Sequence, residues 1–130
     1  MKIMAKLTVA LFLVLGACGG GDDGGSGDDG QSPDAEVSSV TEVDCASATI
    51  AQTITTSGFA YSPSSATISA GEVVEFTPQA GHDVQSGNPG SPDGLFTVSL
   101  AGQGCFRFDD PGTYPFHCGP HQFAGSLTVQ

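Results

Sequence analysis

Residues 66–77 read ATISAGEVVEFT, and this stretch decides the fold class. Two runs rich in β-branched and aromatic residues, Ala66 to Ile68 and Val73 to Thr77, flank an Ala70-Gly71 turn signal. Val74, Glu75, Phe76 and Thr77 alternate apolar with polar, the pattern of a strand that buries one face. The same texture extends outward in both directions. Ala48 to Ile54 (ATIAQTI), Phe96 to Leu100 (FTVSL), Cys105 to Phe108, Gly112 to His117 and Ser126 to Val129 read as further strands. Residues 87–94 (GNPGSPDG) and Asp110-Pro111-Gly112 read as turns. No helical pattern is found between Val43 and Gln130. Short strands at this spacing predict an all-β domain, a Greek-key β-sandwich or barrel, over residues 43–130. Phe76, Phe96, Phe106, Phe108, Tyr114 and Phe116 are its expected aromatic core.

Upstream of that head the composition changes. Residues 1–17 open with the basic Met1-Lys2-Ile3-Met4-Ala5-Lys6 and continue in an apolar run from Leu7 to Leu15. The run falls short of the roughly 20 apolar residues a spanning helix needs and has the layout of a secretory signal. Its end, Leu15-Gly16-Ala17-Cys18, resembles the lipobox of bacterial lipoproteins. That resemblance implies cleavage before Cys18, acylation of its thiol, and a membrane contact made through the lipid alone. Residues 18–42 are then a Gly- and Asp-rich tether that cannot bury enough apolar area to order itself. Its acidic pairs lack the ligand spacing of a calcium loop. Gly19 is not the Asp that retains many lipoproteins at an inner membrane, so outer-membrane attachment is preferred.

After cleavage, Arg107 is the one base left against 14 acids, a formal charge of −13 compared with −11 for the whole chain. Nucleic acid is thereby excluded as a partner, because phosphate binding needs a basic surface. A protein partner with a basic docking surface fits better, met through electrostatic steering. A monomer is expected.

Export implies an oxidising compartment, where thiols pair. With Cys18 lipidated, Cys45, Cys105 and Cys118 remain, and an odd number holds one back. Cys45 opens the domain and Cys105 lies in a late strand, so their bond closes a long loop and stabilises a small head. A Cys45–Cys105 disulfide is therefore expected, leaving Cys118 free.

Cys118-Gly119-Pro120-His121 puts a thiolate and an imidazole three residues apart on a tight loop, and His82 follows Ala80-Gly81 at the end of an earlier strand. One Cys with two His is the ligand set of a trigonal copper site. Singly, each residue is weak evidence, since Cys-x-x-His occurs by chance and a His after a turn is usually just exposed. The flanking sequence reverses that. Phe106 to His121 (FRFDDPGTYPFHCGPH) resembles the ligand hairpin of the cupredoxins, in the branch of plastocyanin, amicyanin and pseudoazurin. Tyr61-Ser62-Pro63 with Ile68 to Phe76 resembles the early strand–turn–strand of that family, and His82-Asp83-Val84 its first-ligand motif, usually His-Asn-Val.

This resemblance implies one copper ion held by His82, Cys118 and His121, with His121 as the solvent-edge route for the electron. Asp83 stands where the family's Asn braces the ligand loops, although a carboxylate accepts without donating. The family's axial Met has no counterpart, because Met1 and Met4 both lie in the signal. Anchored on Gly125, the axial slot falls to Phe123, which is expected to cap the site without coordinating; counting from His121 gives Ala124. Gln122 has an amide oxygen but is expected to point outward. His117 should face away from the metal, as neighbours along a strand do.

The function expected is that of a type 1 (blue) copper electron-transfer protein, a single-electron carrier anchored to a bacterial membrane. The alternative is a copper-holding or copper-delivery lipoprotein without redox cycling. An enzyme is not expected. Three histidines cannot furnish the further sites of a multicopper oxidase, no Cys-x-x-Cys-His haem motif exists, and an all-β chain gives Cys118 no helix N-terminus to activate it. Structural zinc is a lesser reading of the same ligands.

Overall fold

The computed structural model describes residues 39–130. The expected signal, Cys18 and the tether as far as residue 38 lie outside the described residues. Ten strands follow in chain order: β1 (Val40–Val43), β2 (Ile50–Thr56), β3 (Tyr61–Ser62), β4 (Ser65–Ile68), β5 (Val73–Thr77), β6 (Val84–Asn88), β7 (Ser91–Val98), β8 (Gly104–Phe108), β9 (Gly112–His117) and β10 (Ala124–Val129). Among the described residues no helix is long and apolar enough to cross a membrane.

Two five-stranded sheets form a β-sandwich. One has the order β1-β8-β5-β2-β3 and the other β4-β10-β9-β6-β7. Pairing is antiparallel except between β2 and β5 and between β4 and β10. Period-2 alternation aims one face of each strand inward. Val74 and Phe76 of β5 are buried, as are Phe106 and Phe108 of β8, Tyr114 and Phe116 of β9, and Leu127 and Val129 of β10. The aromatic core is continuous across the sheets. Phe76 meets Phe116 edge to face at 5.3 Å and stacks on Phe96 at 5.4 Å, and Phe108 meets Tyr114 at 5.1 Å. Cys45 and Cys105 are bonded, with Cα atoms 5.3 Å apart, clamping the segment after β1 to β8.

Two features differ from the sequence-based expectation. β1 begins at Val40 and pairs Val40 with Phe108 and Val43 with Cys105, so the sheet starts ahead of residue 43. The expected turn over residues 87–94 is mostly strand, because β6 runs to Asn88 and β7 begins at Ser91, leaving Pro89-Gly90 as the turn. Pro92 is tolerated there since β7 is an edge strand. The register shifts between Gln85 and Gly87, and Gly87 takes φ +98°, where a Cβ would come within 2.6 Å of Asp93 N and Ser91 O.

β6 itself has almost no strand signature, and its polar groups are matched from neighbouring strands. Buried Ser86 accepts through Oγ from Phe96 N at 3.0 Å. The β6–β9 ladder ends at Ser86↔Phe116, one residue short of Pro115, which has no N–H to give. The carbonyl of Gly87 is instead satisfied by His117, whose Nδ1 donates to it at 2.8 Å.

Candidate metal centre

The β5–β6 and β9–β10 connections meet, and three donor atoms meet with them. Cys118 follows directly on β9 and is 0 % exposed. Its Sγ lies 3.6 Å from His121 Nδ1 and 3.8 Å from His82 Nδ1, and the three donors all lie within 4.8 Å of one another. His82 is half-buried and His121 exposed. Such separations suit donors that share one ion at about 2.0–2.3 Å each, and one thiolate with two imidazoles is a soft set suited to copper.

Backbone bonds hold the two loops that carry the donors. Cys118 N donates to Phe123 O at 2.9 Å and Gln122 N to Cys118 O at 2.8 Å, closing the loop of residues 118–123 on itself. His82 N donates to Gln79 O at 3.0 Å across a turn in which Gly81 has φ +86°, and Ala101 N donates to His82 O at 3.0 Å. Asp83 joins the two connections, since its Oδ1 accepts from Gly119 N at 2.7 Å. Tyr61 adds a third segment, its hydroxyl donating to Asp83 O at 2.8 Å. Burial pushes the Tyr61 phenol well above its ordinary range, and the charges of Cys118 and Asp83 push the same way.

Phe123 lies half-buried against both imidazoles, 5.2 Å from the His82 ring and 6.4 Å from the His121 ring, and packs on Tyr61 at 4.8 Å. Ala124, the other axial counting, is an exposed β10 residue opposite His117. Gln122 adopts φ 58° and turns its side-chain amide back onto the Gly119 carbonyl. His117 is 2 % exposed and bonded to Gly87, apart from the three donors. A second cluster, Cys45, Glu75 and Cys105, has no free thiolate because its sulfurs are bonded to each other.

One residue at the centre was not read from the sequence. Phe59 is 71 % exposed, yet its ring sits 5.0 Å from the His121 ring and 5.9 Å from that of His82, edge to face with both. An aromatic residue beside Gly58, just ahead of Tyr61-Ser62-Pro63, was the available signal. Nothing local distinguished it from a core residue.

A two-sheet sandwich that gathers one buried thiolate and two imidazoles where two connections meet defines a cupredoxin-type metal protein. Comparison with known proteins gives the family. Residues 48–130 match the model of copper binding proteins, plastocyanin/azurin family, and the chain belongs to that family, whose cofactor is one copper ion. It is 35 % identical over 91 residues to plastocyanin of Dryopteris crassirhizoma, covering 55 % of this chain and 89 % of the relative. To plastocyanin of Scenedesmus fuscus it is 34 % identical over 84 residues, covering 54 % and 86 %. The fold is similar to that of amicyanin from Paracoccus versutus, with a TM-score of 0.53 at 21 % identity over 71 % of this chain and 98 % of the other. A purple cupredoxin from Nitrosopumilus maritimus gives a TM-score of 0.51 at 23 % identity, covering 61 % and 99 %.

Proposed function

We propose that the chain is a type 1 copper electron-transfer protein that carries single electrons outside the cytoplasm, anchored through lipid on Cys18. The observation that carries this reading is the approach of Cys118 Sγ to His82 Nδ1 and His121 Nδ1 at 3.8 and 3.6 Å. Copper in such a site supplies a one-electron Cu(II)/Cu(I) couple. Cys118 would contribute the soft thiolate, and the imidazoles of His82 and His121 donors acceptable to both oxidation states. Asp83, by holding Gly119 N, keeps the Cys118 loop and the His82 turn together, as outer hydrogen bonds do for metal ligands. Phe123, packed against both imidazoles, would shield the bound ion with an apolar ring and keep water from it. His121 is exposed and offers the edge through which a redox partner exchanges the electron. The acidic surface favours partners with a basic docking face.

A second reading, a copper-holding or copper-delivery lipoprotein, draws on Phe123 standing where a thioether would favour Cu(II). Reversible voltammetry with fast electron exchange supports the carrier, and its absence from copper-loaded protein supports the holder. The test of the site is the visible and electron-paramagnetic spectrum of the copper-loaded full chain beside Cys118→Ser. An intense thiolate-to-copper band lost in the variant is expected. A colourless loaded parent would overturn the assignment.

A further inference from the structure

Behind the three donors, the carboxylate of Asp83 is held at both oxygens. Oδ1 accepts from Gly119 N at 2.7 Å, and Oδ2 accepts from Gln85 Nε2 at 3.0 Å. Gln85 belongs to β6, with its backbone opposite His117 of β9. A Cβ at Gly119 would lie 2.3 Å from Gln85 Nε2 and 3.2 Å from Asp83 Oδ2. Gly119 is not among the glycines with positive φ, so its backbone would accept alanine. The amide of Gln85 is the main obstacle, and the Asp83 carboxylate would have to give by only a few tenths of an ångström. We propose that Gln85 is a positioning residue for the Cys118 loop and that residue 119 is glycine to admit its amide. This rests on the reading of His82, Cys118 and His121 as the copper ligands.

The physical argument starts from the carboxylate. Its terminal torsion is soft, so a single bond from Gly119 N leaves its plane free to swing about the Cβ–Cγ axis. An ionised carboxylate cannot donate, so a second restraint must come from a donor on another residue. Gln85 provides a neutral N–H, which fixes the plane without cancelling the charge as a lysine would. Gly119 N is the first backbone amide after Cys118, so fixing the carboxylate fixes where the chain leaves the sulfur. Gln85 thus acts on the donors through Asp83, the group its amide bonds.

The test is amide exchange at residue 119, read by NMR in the metal-free full chain, with the spectra of the copper-loaded chain as second readout. Gln85→Ala and the isosteric Gln85→Met should each speed exchange there about fivefold, the size of one net hydrogen bond. Gly119→Ala should do the same by expelling the amide. The double variant Gln85→Ala/Gly119→Ala should exchange no faster than either single variant, because both remove the same contact. In the loaded protein, all of them should shift the copper hyperfine splitting and the visible band in the same direction. Unchanged exchange in Gln85→Met, or single effects that multiply in the double variant, overturns the proposal. If no variant and no parent takes up copper, the ligand reading fails, and exchange in the metal-free chain still decides the role of Gln85.

Discussion

Replacing Cys45 and Cys105 together by alanine separates the cross-link from the metal centre, because the bond lies in the β1–β8 part of one sheet while Cys118 continues β9 of the other. The two residues are 60 apart in sequence. Closing a loop of that length removes about 14 cal/mol/K from the unfolded chain, which is about 4 kcal/mol at 25 °C. Cys105 is 1 % exposed, so deleting its sulfur adds a packing loss of about 1 kcal/mol. A domain of this size loses about 4–8 °C per kcal/mol, so the variant should melt about 20–40 °C below the parent. Urea unfolding of the metal-free full chains without reductant, followed by circular dichroism, measures the free-energy loss, and a thermal scan of the same samples the melting shift. Copper must be absent, since a ligand of the folded state adds stability of its own. Below its melting point the loaded variant should keep the parent's visible spectrum. Stability within about 1 kcal/mol of the parent would refute the reasoning, and would mean that the unfolded chain is already restrained near this pair.

Phe123→Met introduces a thioether donor beside the two imidazoles and should lower the reduction potential by about 60 mV for each tenfold gain of Cu(II) over Cu(I) affinity; voltammetry showing an equal or higher potential contradicts the apolar cap. His117→Phe strands the Gly87 carbonyl and should cost about 1–3 kcal/mol in thermal or urea unfolding while leaving the blue spectrum in place; loss of copper instead would make His117 a ligand. Tyr61 titrates above its ordinary 10.0 in the folded state, so the unfolded chain loses this proton first. Its contribution is complete below about pH 10 and is lost as pH rises toward the folded value. Tyr61→Phe should therefore show a shallower alkaline fall in urea midpoints, and identical slopes would contradict this.

Local pattern carried much of the architecture. β5 and β9 could be read because a strand that buries one face announces itself by alternation, and Val74, Phe76, Tyr114 and Phe116 all turn inward. Cys118 and His121 could be paired because a three-residue loop keeps them close whatever the rest of the chain does. β6 could not be read. Gln85, Ser86, Gly87 and Asn88 have no strand preference of their own, and the burial of Ser86 and Gly87 depends on partners that only the assembled sheet delivers, Phe96 N for Ser86 and His117 Nδ1 for Gly87.

By itself, the sequence determined an all-β chain with a Cys/His/His donor set and no methionine beyond its first residues. Tertiary structure alone decided that His82 arrives beside a sulfur 36 residues away, that Phe59 stands exposed against both imidazoles, and that Gln85 fills the space left by Gly119. The physical reason is range. Alternation and short loops are encoded by neighbours in the chain, whereas these contacts depend on how two sheets pack and which loops meet, and no single segment specifies that.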